Sequence, residues 1–197
     1  YGVQTLRGIE NFRISKFHLN EYPLFIQALA ITKMGAAIAN RELDLLTKEQ
    51  TDAILKACKE ILEGKYHDQF PVDMIQGGAG TTTNMNANEV IANRALELMG
   101  HQRGEYQYCS PNDHVNRSQS TNDAYPTAIH IGLYYTHLKL VKHFETLIQS
   151  FRKKGEEFAN IIKMGRTQLE DAVPMTLGQT FNGFASILEH EVKNLDF

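Results

Sequence analysis

Residues 77–90, GGAGTTTNMNANEV, are rich in Gly, Thr and Asn and carry no charge before Glu89. Glycines let a backbone approach a ligand closely, and the N-terminus of a following helix would favour an anion. The stretch has neither the phosphate-loop spacing nor the dinucleotide glycine pattern. On spacing alone, an anion-binding loop with Thr81 as its hydroxyl donor and a glycine turn feeding an Asn or Thr helix cap are equally good interpretations.

Residues 110–123, SPNDHVNRSQSTND, form a second polar stretch, in which one proline and one valine are the only apolar residues. Capping a helix requires only one such polar residue, so the pattern favours a ligand-facing role. The hydroxyls of Ser120 and Thr121 and the amide of Asn122 can bond carboxylate oxygens without carrying charge.

Residues 164–179, MGRTQLEDAVPMTLGQ, place Thr167 and Gln168 just before a helix that we expect Pro174 to open. On spacing alone, a connection between two helices, with Arg166 in a surface salt bridge, is the favoured interpretation.

Other chemistry is not indicated. The eight histidines and two cysteines show neither metal-ligand spacing nor a disulfide framework, and no Ser/His/Asp or Cys/His constellation is visible. We therefore predict no metal and no cofactor.

The composition is that of an ordinary globular protein, with 42% hydrophobic residues, 22% charged residues and a formal net charge of −3 over 197 residues. This balance does not favour nucleic acid as a partner, and no apolar run is long enough to cross a bilayer. The start of the chain has no signal-like pattern. We expect a soluble, cytoplasmic protein without a nucleic-acid or membrane partner.

Three helices are predicted in the first half of the chain. Pro23 opens a helix through Asn40 that carries Lys33 as its only charge, which is typical of a helix buried on most sides. A Thr47 capping box begins the second helix. The third is expected to begin within residues 84–88 and to end at a glycine, residue 100.

A longer helix is predicted from Thr127, with Pro126 in its first turn and N-cap candidates in the SQSTND run before it. Its apolar positions fit about thirty residues, or close to 50 Å. After a break over residues 164–173, Pro174 opens a helix whose apolar pattern still runs at residue 197. The apolar stripe of the longer helix exceeds what the neighbouring sequence can cover. Together with a last helix cut off in mid-pattern, it is typical of the N-terminal part of a longer polypeptide.

We therefore predict a mainly α fold, with an α-rich N-terminal domain over residues 1–121. Residues 122–197 would be the first long helices of a central helical bundle that this sequence leaves incomplete.

Together, the three polar stretches resemble those of the aspartase/fumarase superfamily, and the likeness extends from YGVQTLRGIENF at residues 1–12 to EVKNL near the end. Class II fumarases typically read GGSGT and SSND where this chain reads GGAGT and STND, so the aspartase branch is favoured. Gln168 stands where many members have His, and no histidine relay is expected at that position.

The resemblance implies three mainly helical domains and a homotetramer, in which the long helices of four subunits form a twenty-helix bundle. Each active site would be assembled from segments of three subunits. Carried over by position, Thr81 would bind the distal carboxylate of the substrate, Ser120 and Thr121 would help to hold the carboxylates, and Asn122 and Thr167 would face the amino group. Three further residues are candidates for supporting roles: Gln168, Arg7 and Asn84. Asn112 and Asp113 are weaker candidates for a second anion site. Asn84, with its threonine neighbours, is also expected to shape the turn and cap the helix.

The implied reaction is the reversible elimination of ammonia from L-aspartate to give fumarate. In the family the base is a serine on a mobile loop well beyond residue 197, so we expect no catalytic base in this chain and no activity from it alone. Two alternatives stay open: a class II fumarate hydratase, which adds water to fumarate to give L-malate, and a catalytically silent helical scaffold.

Overall fold

The computed structural model describes residues 1–76 and 78–195, so Gly77, the first glycine of the Gly/Thr/Asn stretch, lies outside the described residues. The fold is mainly α-helical, as predicted. It forms two compact units, Tyr1–Tyr134 and Tyr135–Phe197, which are described separately below. The domain division at residue 121 stays a prediction. No helix among the described residues is long and apolar enough to cross a membrane.

The core of the first unit is built from three helices in sequence: α2 (Pro23–Glu42), α3 (Lys48–Leu62) and α4 (Thr81–Leu98). Helix α2 packs against α3, and α3 packs against α4. The predicted starts of α2 and α3 are confirmed. In the capping box of α3, the Gln50 N–H donates to Thr47 Oγ1 at 3.2 Å, and the Thr47 N–H donates to Gln50 Oε1 at 3.1 Å.

Helix α1 (Val3–Asn11) was not predicted, and the reason is that its N-terminal partner is remote in sequence. The buried Glu89 carboxylate on α4 accepts the N–H groups of Gly2, Gln4 and Thr5 at 2.8–3.0 Å, together with the Thr5 hydroxyl at 2.6 Å. A carboxylate at this position satisfies free N–H groups and favours the positive end of the helix dipole. No local capping side chain marks the start of α1 in the sequence.

Helix α4 begins at Thr81, several residues before the predicted start. Positive φ angles at Gly78 (71°), Ala79 (50°) and Gly80 (94°) turn the chain into it. The Gln76 side-chain oxygen then accepts the Thr83 N–H at 2.7 Å, and its amide donates to the Thr83 hydroxyl at 2.7 Å. Because Gln76 supplies this cap, the three residues after Thr81 lie inside the first turns of α4, and the predicted turn-and-cap role of Asn84 is wrong.

Helix α5 (Thr121–Glu157) has 37 residues, about 55 Å at 1.5 Å per residue, and begins before the predicted Thr127. Ser120 precedes it, as the capping prediction requires. The Ser120 hydroxyl accepts the Asn122 N–H at 3.2 Å, and the Asp123 carboxylate accepts the Ser120 N–H at 3.1 Å. Pro126 consequently lies inside the helix and not in its first turn, which corrects the prediction. Since proline has no N–H, it leaves the carbonyl of the residue four positions earlier without its usual helical donor.

The second unit contains an antiparallel hairpin of β1 (Ile162–Thr167) and β2 (Glu170–Thr176), followed by α6 (Leu177–Leu195). Pro174 lies in β2, so the prediction that it opens a helix is wrong. The start of α6 is fixed instead by a capping box, in which the Gln179 N–H donates to Thr176 Oγ1 at 3.1 Å and the Thr176 N–H donates to Gln179 Oε1 at 2.9 Å. Within this unit, a phenylalanine of α5, the one just after α5 and two of α6 form one aromatic cluster: Phe151, Phe158, Phe181 and Phe184.

Candidate functional site

The first turns of α4 and α5 lie side by side. The Asn84 amide Nδ2 on α4 donates to Thr121 Oγ1 on α5 at 3.1 Å. Gly80, just before α4, lies against the Tyr125 ring so closely that a Cβ would overlap it. The structure therefore brings two of the predicted polar stretches together at adjacent helix N-termini, where the dipoles of both helices favour negative charge.

Lys33 on α2 lies beneath this junction and is fully buried. Its ammonium donates to three amide oxygens: Asn84 Oδ1 at 2.7 Å, Gln119 Oε1 at 2.9 Å and Asn116 Oδ1 at 3.0 Å. Burial lowers the Lys33 pKa to about 7, against the weaker opposing influence of Cys58 and Asp123. The sequence showed this lysine only as a lone charge in an apolar helix, and its partners could not be read from local spacing.

Asn116 is the second centre of the same network. Its Oδ1 also accepts from the amides of Asn84 and Asn88 at 3.2 Å, and its Nδ2 donates to the Gln119 carbonyl at 3.1 Å. Gln119 in turn donates to the Val115 carbonyl at 2.9 Å. These bonds tie the second polar stretch to α4 and fix the approach of the chain to Thr121.

Thr81 is exposed at the start of α4, where its hydroxyl donates to the Gly78 carbonyl at 2.6 Å. It lines a cavity of about 210 Å³ together with Arg7 of α1. The other lining residues include Gln4, Asn11 and Thr82. Thr81 and Arg7, which were predicted as separate candidates, thus line the same cavity.

Ser120 and Asn122 are exposed at the start of α5, and Thr121 is half-buried between them and Asn84. Because Ser120 Oγ accepts the Asn122 N–H, the predicted carboxylate ligand Ser120 also serves as the cap of its helix. The four residues of this unit that were predicted to bind substrate, Thr81, Ser120, Thr121 and Asn122, therefore lie at the two helix N-termini.

Asn112 and Asp113 lie exposed in a short π-helical turn, Pro111–Val115. The Ser110 hydroxyl accepts the N–H groups of both residues at 3.1–3.2 Å and donates to the Asp113 carboxylate at 3.0 Å. The Ser110 N–H donates to His114 Nδ1 at 2.7 Å, and burial lowers the pKa of that imidazole although Asp113 opposes the shift. A second anion site at this turn stays a prediction.

In the second unit, Thr167 ends β1 and pairs with Glu170. The two turn residues between them have positive φ angles: Gln168 at 46° and Leu169 at 67°. Arg166 forms the predicted surface ion pair, with Asp171 on the facing strand. Leu169 is 96% exposed at the tip of the hairpin. The predicted substrate roles of Thr167 and Gln168 stay predictions.

Comparison with known proteins gives a consistent result. The family model described as lyase matches residues 1–196. The chain is 58% identical over 195 residues to an aspartate ammonia-lyase of Pseudomonas canavaninivorans. The matched region covers 99% of this chain and 41% of that protein. The chain therefore spans about two fifths of the length of this curated relative.

Solved structures agree. The crystal structure titled fumarate lyase:delta crystallin from Brucella melitensis, in native form, superposes with a TM-score of 0.93 at 52% identity, over 98% of this chain and 45% of that one. A class II fumarase from Schistosoma mansoni superposes with a TM-score of 0.85 at 39% identity, over 98% of this chain and 40% of that one.

Proposed function

Because the chain belongs to the lyase family, whose model matches residues 1–196, we propose that it is part of an enzyme that eliminates ammonia from L-aspartate to give fumarate. The observation that carries the proposal is the 58% identity with an aspartate ammonia-lyase over 99% of this chain. The likeness to a class II fumarase is weaker, at 39% identity.

In this proposal the N-termini of α4 and α5 bind the two carboxylates of the substrate. Thr81 takes the distal carboxylate, to which its hydroxyl would turn from the Gly78 carbonyl, and Ser120 and Thr121 help to hold the carboxylates. Asn122 and Thr167 face the amino group, in a site that is assembled from segments of three subunits. The proposal is supported by the adjacency of the two helix N-termini and by the presence of Arg7 in the cavity that Thr81 lines, since a positive charge there would offset that of a dianion.

The chemistry is the loss of a C3 proton and of ammonia, through an intermediate that carries extra negative charge on one carboxylate. Preorganised hydroxyl and amide donors stabilise that charge, and one such donor is worth about 3–4 kcal/mol by analogy with oxyanion holes. The base that takes the proton is supplied, by resemblance, from outside these residues, so the isolated chain should be inactive. No cofactor takes part.

The complete enzyme is proposed to be a cytoplasmic homotetramer, with active sites shared between subunits. The proposal is supported by apolar side chains that stand exposed along α5 and α6 in this chain: Leu133, Leu138, Leu140, Leu147, Phe184 and Ile187. An exposed apolar surface of this kind is typical of an interface.

The reverse reaction tests the proposal. A complete protein that carries this chain is given fumarate with and without ammonium, and the products are followed by proton NMR. We expect L-aspartate only when ammonium is present. Formation of L-malate without ammonium would assign a fumarate hydratase, and the absence of both products would assign a silent scaffold.

A further inference from the structure

The buried network beneath the two helix N-termini determines which atoms face the candidate site. In its protonated form Lys33 has three donor hydrogens and no acceptor, so each side-chain atom that bonds to its Nζ must be an oxygen. The Asn84 oxygen lies 2.7 Å away, and this contact sets the orientation of the Asn84 amide. The amide nitrogen must then face the other way, where it donates to Thr121 Oγ1.

The Thr121 hydroxyl carries a single hydrogen. Since its oxygen accepts from Asn84, that hydrogen is available for another acceptor, and no residue within the described ranges accepts it. A hydroxyl held in this way keeps its one hydrogen to donate to a ligand at the helix N-terminus.

We propose that Lys33 is a positioning residue: its ammonium fixes the Asn84 amide, which fixes the Thr121 hydroxyl as a donor to a substrate carboxylate. This Lys33–Asn84–Thr121 relay rests on the proposed function and adds to it a residue that does not touch the substrate. It also accounts for a lysine that is buried without a hydrogen-bonded carboxylate, since all three of its bonded partners are amide oxygens.

A change of either Lys33 or Asn84 has a defined consequence for Thr121. In Lys33→Met the Asn84 amide is free to turn its oxygen toward Thr121, whose hydroxyl would then donate to Asn84 and be lost to the substrate. In Asn84→Asp the carboxylate keeps its contact with Lys33 as an ion pair but has no hydrogen to donate, so Thr121 again donates inward. Asn84→Asp thus breaks the relay while keeping a partner for the buried ammonium.

The test is steady-state kinetics on the complete protein with L-aspartate, as a double-mutant cycle against Thr121→Val. Loss of one hydrogen bond to a charged group should raise KM about tenfold to a hundredfold in Lys33→Met and in Asn84→Asp, with a much smaller change in kcat. In the Thr121→Val background, neither change should raise KM by more than about threefold, because the hydroxyl they act through is already gone.

The matched control is Asn86→Asp, which places a carboxylate at another buried asparagine of α4, where Asn86 Nδ2 donates to the Gln69 carbonyl at 2.9 Å. It should lower the unfolding temperature without changing KM. If Lys33→Met does not fold, the Asn84→Asp cycle alone decides the question. Effects that multiply in the Thr121→Val background, or an unchanged KM in both single variants, would overturn the relay.

Calorimetric titration with fumarate separates this inference from the proposed function. If the unmodified protein binds fumarate but does not convert L-aspartate, the proposed function fails while the same cycle, measured as Kd, still decides the relay. A protein that binds no fumarate overturns both.

Discussion

Asn84 and Thr121 are 37 residues apart in sequence, yet their side chains meet in a 3.1 Å hydrogen bond that joins the first turns of α4 and α5. The same Asn84 amide accepts from the buried Lys33. One side chain therefore links the core of the first unit to both polar helix N-termini. The predictions below follow from this arrangement and from the elements that support it.

Loss of the Thr81 hydroxyl should impair turnover without disturbing assembly. Thr81→Val keeps the shape of the side chain, and the missing donor should lower kcat/KM for L-aspartate about tenfold to a hundredfold in the complete enzyme. Thr81→Ser keeps the hydroxyl and should stay close to the unmodified protein. Kinetics and sedimentation analysis check both variants. An unchanged turnover in Thr81→Val would show that Thr81 only begins the helix and does not bind substrate.

Substitution of Gly80 should lower the unfolding free energy by more than backbone strain alone would. Gly80 (φ 94°) and Gly100 (φ 83°) share the left-handed conformation, but a Cβ at Gly100 meets nothing within 4 Å whereas one at Gly80 overlaps Tyr125. Gly100→Ala should therefore lose about 1–2 kcal/mol from strain, and Gly80→Ala should lose about 1–3 kcal/mol more from overpacking. Urea unfolding measures the difference, and equal losses would show that the Tyr125 contact gives way freely.

Removal of the Glu89 charge should release α1. The two carboxylate oxygens of Glu89 accept three N–H groups and one hydroxyl, and Glu89→Gln leaves only one accepting oxygen for these four donors. We therefore expect a loss of about 2–4 kcal/mol in unfolding free energy. Because α1 carries Arg7, KM for L-aspartate should also rise. Glu10→Gln, on the exposed side of the same helix, is the control. A stable Glu89→Gln variant with an unchanged KM would contradict the anchoring role.

The Asp73 carboxyl should make stability depend on pH in acid. Burial opposes its ionisation, but hydrogen bonds from the N–H groups of Ser15, Ile75 and Ile14 and from the Ser15 hydroxyl outweigh burial and lower its pKa from 3.8 to about 2. A depressed carboxyl pKa contributes stability above its unfolded value and loses it as pH falls through the folded value. Asp73→Asn should thus be less stable at neutral pH, with a difference that shrinks between pH 3.8 and about 2.

Urea unfolding across that range, compared with Asp52→Asn at an exposed ion pair, checks this expectation. A difference for Asp73→Asn that is the same at every pH would contradict it.

The sequence predicted those elements whose ends are fixed by local chemistry. Pro23 and the Thr47 capping box mark α2 and α3 because a first-turn proline and a Thr-x-x-Gln pattern act within one turn. Helix α1 has no such local signal, since its cap is Glu89, 84 residues or more away. The hairpin was missed because its strands are largely exposed and show no clean apolar alternation, although the Thr176 capping box that starts α6 was visible in the sequence.

The candidate site was predictable as polar stretches but not as a network. Thr81 and Thr121 stood out by residue type, and the resemblance to a known superfamily supplied their roles. Lys33 could not be assigned in the same way, because its three partners come from α4 and from the stretch before α5, 51 to 86 residues later in the chain. Only tertiary packing shows that Lys33, the one charge of residues 24–40, supports the polar site.

The central claim, ammonia elimination from L-aspartate, is tested most directly by the ultraviolet absorbance of fumarate. The complete protein that carries this chain is offered L-aspartate and L-malate in separate reactions. We predict that fumarate accumulates from L-aspartate with release of ammonia and that L-malate gives none. Fumarate from L-malate alone would contradict the claim and indicate a hydratase. Fumarate from neither substrate would also contradict it and indicate a silent scaffold.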